Sequence, residues 1–224
     1  MPPVVTTEGL AAVIFNISME NYIEKIEVNL FELIKNINNP SILEFGVKNG
    51  ESTIRFLDLC NQNNGYLYSV DIDDCSKVSD DKRWRFIKSR DDNFKFVKSQ
   101  IPNELDVIFI DSLHEAKHVE NIFYNYYDLL KVGGYLFIDD ISHLPYAENG
   151  IRNNFYCEIN NKETFNRLLE IYFSNHDRFD LNFSFQSSGL AIIKKKKIDV
   201  LNKKIKIESR EFSIKNLIRK FIAK

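Results

Sequence analysis

The chain has 224 residues, is 44% hydrophobic and carries a formal net charge of −2. That length and apolar content suit one domain around one substantial core, and the near-neutral total points to no general polyanionic partner. The charge is uneven, however. Twelve of the 30 basic residues but only three of the 32 acidic ones fall in 194–224, so an acidic body of −11 carries a basic tail of +9. Cys60, Cys75 and Cys157 are far apart and form no CxxC pair, which argues against a disulfide framework or zinc knuckle and for a reducing compartment. The first residues, MPPVVTTEGLAAVIF, lack a basic flank and include Glu8, a poor signal peptide. No run approaches the ~18 apolar residues of a membrane span. The expectation is a soluble cytoplasmic protein.

Residues 1–17 read as an arm, 18–196 as the domain and 197–224 as a basic amphipathic tail. Ser18 is placed to cap a first helix whose apolar stripe is Ile23, Ile26, Leu30, Leu33, Ile34 and Ile37. SILEFG (41–46) is a short buried strand, followed by a glycine turn and a helix through Ile54, Leu57 and Cys60. YLYSVDID (66–73) and WRFIKS (84–89) are further strands, and 91–100 a short helix. Asp106–Ile110 is an apolar run ending in Asp111, and Gly134–Ile138 is another ending in Asp139–Asp140. Apolar runs without alternation suit strands buried on both faces of a parallel sheet. Val119, Ile122, Phe123, Tyr126 and Leu130 between them recur at helical spacing, with Gly133–Gly134 as the stop. Residues 142–160 have no period and read as a long binding loop holding Tyr146, Asn149, Arg152, Asn153 and Tyr156. A helix over 164–175 and a hairpin of 178–185 with 189–196 close the domain. The predicted fold is a doubly wound α/β sheet with an antiparallel edge.

Right-handed crossovers return the strands in one direction, so Asp111, Asp139 and Asp140 should share the sheet edge where open α/β folds bind ligands. Glu44-Phe-Gly46-Val-Lys-Asn-Gly50 joins the first strand to its helix. Gly46 allows a tight turn, Gly50 lets a ligand approach the backbone, and Ser52 opens the helix. Only two glycines are present, so the turn departs from the dinucleotide fingerprint. Glu44 would repel a pyrophosphate but attract an ammonium group, and Asp71 ends a strand where acidic residues take ribose hydroxyls. The combination suggests a nucleoside carrying an amino acid.

ExGxxxGxST, then VDID, FIDxxH and GGYLFIDD, over roughly 41–141, resembles the class I S-adenosylmethionine-dependent methyltransferases. The resemblance implies a Rossmann-like seven-stranded sheet with a reversed last strand. It implies that Glu44, Gly46 and Gly50 surround the methionine moiety, that Asp71 holds the ribose, and that Ser89–Asp91 lies near the adenine, where Arg90 departs from the usual small residue or Asp. The acidic set is similar to that of the metal-dependent O-methyltransferases, above all the macrolide-sugar type. There Asp111, Asp139 and Asp140 would hold Mg²⁺ or another hard divalent cation and His114 would act as base. His114 in place of Lys, and Asp140 in place of Asn, set it apart from the catechol type. The implied acceptor is a sugar hydroxyl of a glycan or natural product.

Alternatives remain on the residues alone: a metal-independent methyltransferase, a non-catalytic nucleoside-binding module, or a zinc peptidase through HEAKH (114–118). His118 otherwise reads as a surface or interface residue, His143, at the mouth of the site, as either a substrate contact or an ordinary loop residue, and His176 as a helix end. The tail is suited to an anionic membrane or glycan, or to packing between subunits of a homo-oligomer. Nucleic acid is disfavoured, because no aromatic–basic interleaving marks a strand groove.

Overall fold

The structure, a computed structural model, describes residues 22–142, 155–208 and 213–222. Seven strands form one sheet in the order β3-β2-β1-β4-β5-β7-β6. They are β1 (Ser41–Phe45), β2 (Tyr66–Asp71), β3 (Trp84–Lys88), β4 (Leu105–Ile110), β5 (Leu130–Asp139), β6 (Phe179–Ser184) and β7 (Leu190–Lys195). The first five pair in parallel; β7 pairs antiparallel with both β5 and β6. This is the expected Rossmann-like sheet with a reversed hairpin edge. Chain order runs outward from β1 to β3, then restarts at β4 beside β1, so the sheet changes direction between β1 and β4. A crevice opens at such a switch point.

Helices cover both faces: α1 (22–34), α2 (Glu51–Asn63), α3 (Phe94–Gln100), α4 (Ala116–Tyr126) and α5 (Phe155–Phe173). A last helix, α6 (Ile214–Ile222), ends the described chain. On one face α1 and α2 pack on β4 through Phe31, Phe56 and Phe109, with ring centroids 5.0 and 5.7 Å apart. Glu27 of α1 and Arg55 of α2 form an ion pair. On the other face α4 and α5 enclose a larger apolar cluster in which Tyr126 packs tilted against Phe45 at 4.7 Å and Phe123 meets Phe179 edge-on at 5.8 Å. Among the described residues no helix is long and apolar enough to cross a membrane.

Four local expectations are corrected. Leu33, assigned to the apolar stripe of α1, is exposed, while Phe31 is buried with Ile26, Leu30 and Ile34. The cause is a π-helical turn over Glu27–Phe31, whose wider pitch rotates the following residues off the 3.6-residue period. The helix α4 ends before Gly133–Gly134. Residues Tyr127–Leu129 tighten into a 3-10 turn, and the glycines lie inside β5 at a register shift opposite Leu105 and Val107. Of the stretch expected as a loop over 142–160, residues 143–154 lie outside the described residues; residues 155–160 are helical, because α5 begins at Phe155 rather than 164. Its Asn160–Asn161 pair weakens the local helical signal, but Asn161 docks on the Ser142 carbonyl at 3.0 Å, so tertiary contact overrides propensity. Finally, the two histidines of HEAKH do not share a helix face: His114 precedes α4 and only His118 lies within it. Ser18, His143, Tyr146, Asn149, Arg152 and Asn153 lie outside the described residues.

The π-turn makes a direct prediction. Leu30→Ala should cost about 2–5 kcal/mol in denaturant unfolding, as for a fully buried leucine, and Leu33→Ala under about 1. Equal losses would contradict the rotated register.

Candidate active site

Two adjoining cavities open at the switch point. The first, about 460 Å³, is lined by Tyr22, Ser52, Asp111, His114, Asp139 and Asp140 among others. The second, about 280 Å³, is lined by Asp71, Ser89, Arg90, Asp91 and His118. Gly46, Lys48, Asp111 and Ser112 border both, so the two form one elongated trough. Its shape and its unequal halves fit a nucleoside joined to a charged tail.

Gly46 is where the trough divides. Its φ is +94°, and a Cβ there would lie 2.0 Å from the Asp111 carbonyl oxygen. The Asp111 amide donates to the Phe45 carbonyl at 2.8 Å, and the Gly46 amide to Val70 at 2.9 Å. The glycine is therefore required by the approach of β4 to the end of β1, and it leaves the backbone bare to a ligand as well. Asp71 fixes the same turn. Its carboxylate accepts from the amides of Val47 (2.8 Å), Lys48 (3.1 Å) and Asp73 (2.9 Å). Burial alone would raise its pKa, but these amides hold it below the usual range.

Glu44 lines neither cavity. It is fully buried beneath the first turn of α2 and accepts hydrogen bonds from Ser52 (2.5 Å), Thr53 (2.8 Å) and Ser69 (2.7 Å). Ser69 in turn accepts from the Trp84 indole at 2.9 Å. Burial pushes the Glu44 carboxyl up to about 7 against the opposing pull of the hydroxyls. Its influence on the trough passes through Ser52, which does line the first cavity.

The acidic half is organised by three cationic or hydroxyl partners. His114 Nε2 lies 3.3 Å from Asp140 and 3.6 Å from Asp111. The Tyr22 hydroxyl donates to Asp111 at 3.1 Å. Burial and the neighbouring Asp140 push the Asp111 carboxyl up to about 6. Asp139 is more enclosed still, and its nearest partner is Lys25 of α1, with which it forms an ion pair. The Lys25 ammonium also reaches Ser188 Oγ at 2.7 Å, on the turn between β6 and β7. Burial raises the Asp139 carboxyl; Lys25 opposes that, and Asp111 and Asp140 add to it.

Three carboxylates line one cavity, the oxygen-donor chemistry a hard cation takes, and burial with a shortage of positive charge beside it raises Asp111 and Asp139; the acidic and histidine ligand atoms that meet within 4.8 Å among the described residues are, however, those of Asp91, Asp92 and His118. Lys25 meets that shortage at Asp139, leaving Asp111 and Asp140 with His114 between them. Neither Lys25 nor Tyr22 was singled out by the sequence, where each reads as one more residue of an amphipathic helix.

The adenine half was also incompletely read. Arg90 borders it, but its guanidinium is turned onto Asp92 through bonds of 2.9 and 2.7 Å. His118 is part-buried, its Nε2 2.8 Å from Asp91, which also accepts from Ser112 at 2.6 Å. That hydrogen bond raises the His118 pKa. His118 thus faces one cavity and His114 the other, which removes the paired-ligand geometry of a zinc peptidase.

Residues 43–141 match the family model described as a methyltransferase domain. That stretch is similar to a methyltransferase domain, and the sheet around it has the Rossmann-like methyltransferase fold. Among solved structures it is similar to the MycE methyltransferase of the mycinamycin biosynthetic pathway in complex with Mg and SAH, at TM-score 0.60 and 18% identity over 82% of this chain and 55% of that one. It is also similar to a caffeoyl-CoA O-methyltransferase-like protein from Staphylococcus aureus, at 0.56 and 20% over 86% and 85%. The SAH-bound methyltransferase PaMTH1 of Podospora anserina follows at 0.57 and 13% over 88% and 100%. These likenesses establish the fold. The chain spans about half the length of the MycE chain it matches. No curated protein matches it.

Two variants test this electrostatic layout. Glu44 titrates near 4.5 when unfolded and about 7 when folded, so its ionisation should erode stability as pH rises through that window. Glu44→Gln should flatten this slope, by on the order of 3 kcal/mol between pH 4.5 and 8 in denaturant titrations. Lys25→Met should cost roughly 3–5 kcal/mol at pH 8 by stranding Asp139, and adding Asp139→Asn should restore most of it. Additive losses in that cycle would mean the two groups do not interact.

Proposed function

We propose that the chain transfers a methyl group from S-adenosylmethionine to a hydroxyl oxygen, with a sugar of a glycan or natural product as acceptor. The observation that carries this reading is His114, suspended between Asp111 and Asp140 at the wall of a cavity continuous with the Asp71 pocket. S-adenosylmethionine, when bound, supplies an electrophilic methyl. Its amino-acid portion suits the stretch between Gly46 and Ser52, and its ribose suits Asp71. The acceptor oxygen forms its bond to the methyl carbon as the carbon–sulfur bond breaks, with that electron pair passing to sulfur. The hydroxyl proton goes to His114, whose Nε2 lies 3.3 Å from Asp140 and 3.6 Å from Asp111. Lys48, Asn49, Glu51, Ser112 and Ser188 give the acceptor side a polar lining. Tyr22 is the one aromatic ring on it among the described residues. Such a wall favours a hydroxyl-rich acceptor over a flat aromatic one.

A divalent ion such as Mg²⁺, when bound, would be held by Asp111, Asp139 and Asp140 and would polarise the acceptor hydroxyl. Lys25 supports a second reading, in which methyl transfer needs no metal: the lysine already neutralises Asp139, the most enclosed of the three carboxylates. The two readings part in one assay. Methyl transfer from labelled S-adenosylmethionine would be followed over a panel of nucleotide sugars and oligosaccharides, with and without EDTA. Loss of turnover with EDTA and in Asp139→Ala supports the ion; turnover surviving both supports Lys25. In either case His114→Ala should lower turnover about 10²–10⁴-fold while S-adenosylhomocysteine affinity by calorimetry holds within a few-fold. Absence of S-adenosylhomocysteine binding to the wild-type chain would sink the methyltransferase reading as a whole.

A further inference from the structure

We propose that α6 is a membrane-surface anchor that docks the protein on anionic phospholipid. Ile214, Leu217, Ile218, Phe221 and Ile222 follow the i, i+3, i+4, i+7, i+8 pattern and cover an arc of about 140° at 100° per residue. All five are exposed, Phe221 at 83% and Ile222 at 79%. Lys215 and Arg219 lie on the opposite arc, and the sequence adds Lys220 and Lys224. A large, exposed apolar residue is unremarkable singly, but five on one face of a nine-residue helix form an interaction surface.

The last contacts with the domain lie before the helix. Residues 202–205 still hold to α4 and α5: Tyr124 donates to the Asn202 carbonyl at 2.9 Å, and Lys204 pairs with Glu170 at 3.0 Å. Beyond them Lys206 is exposed and pairs with its exposed neighbour Glu208 at 3.2 Å.

Charge selects the occupant. Residues 206–224 hold six basic and two acidic residues, a net of +4, and are attracted to an anionic surface, while residues 1–205, at −6, are repelled, so the two together orient the molecule with α6 toward the lipid. Nine residues rise about 13 Å, enough to lie in the headgroup boundary and too short to span. A second copy would cover the apolar arc but would bring two +4 segments together. A polyanion such as nucleic acid would meet the lysines but leave the apolar arc in water. Only an anionic bilayer answers both faces.

The test is flotation of the full chain with vesicles of phosphatidylcholine and phosphatidylglycerol, against pure phosphatidylcholine. Binding should require the anionic lipid and weaken at least tenfold between low and high salt. Ile218→Asp with Phe221→Asp should reduce vesicle binding at least tenfold without changing S-adenosylhomocysteine affinity, and Lys215→Glu with Arg219→Glu should do the same. The proposal is overturned if the chain stays with the aqueous fraction at low salt, if neutral vesicles bind equally, or if the aspartate pair leaves binding intact. It is also overturned if light scattering shows a dimer that those aspartates dissolve while vesicles bind nothing. The flotation and light-scattering readouts do not depend on the catalytic reading; only the S-adenosylhomocysteine control does.

Discussion

Four carboxylates, Glu44, Asp111, Asp139 and Asp140, are crowded at the ends of three adjacent strands, and their mutual repulsion is the constraint that the surrounding structure answers. At an effective permittivity near 20, two unit charges 4 Å apart repel by about 4 kcal/mol. The fold treats each carboxylate differently. Glu44 is sealed under three hydroxyls at the positive end of α2. Asp139 is closed off by an ammonium group from α1. Asp111 and Asp140 are left facing a cavity with the His114 imidazole between them, and Asp111 also accepts from the Tyr22 hydroxyl and feels the charge of Lys25. The result is a gradient from enclosed to open charge across one sheet edge. Such an edge favours a ligand bearing positive charge. In the proposed reaction a sulfonium becomes a neutral thioether, so the same carboxylates that attract the donor hold the spent product less firmly.

Much of the architecture was legible because its determinants are local. Apolar runs bounded by turns fixed β1, β2, β4 and the end of β5, and two of those runs carried their functional carboxylates at the last residue. The glycine turn was equally clear, since a positive φ and a close backbone approach leave few residue choices. The errors share a cause. Helix α5 starts early because Asn161 finds a carbonyl 19 residues away, and α1 rotates at a π-turn that no period announces. The Gly133–Gly134 pair reads as a helix stop in one dimension and serves as a strand irregularity in three.

The candidate site shows the same division. Asp71, Asp111, His114, Asp139 and Asp140 are strand-end or post-strand residues, and a strand end has one predictable place in this fold. Lys25 and Tyr22 are not. Their importance arises from where α1 lies across the sheet, and a lysine in a helix ordinarily reads as a solvated charge. The orientation of Glu44 was similarly hidden, because only the packed structure shows three hydroxyls converging on it.

The segment that matches the methyltransferase-domain model, 43–141, contains every carboxylate of the candidate site but not the group that balances Asp139. Lys25 comes from the helix before β1, and its ammonium also donates to Ser188 on the turn after β6. Asn29 and Gln186 join the same two segments at 3.1 Å. The matched segment and the candidate site therefore have different borders. A fragment cut to the matched segment would strip Lys25 from Asp139, whereas exchanging α1 and the hairpin turn together would remodel the Tyr22 and Ser188 wall of the first cavity and leave the residues of the second in place.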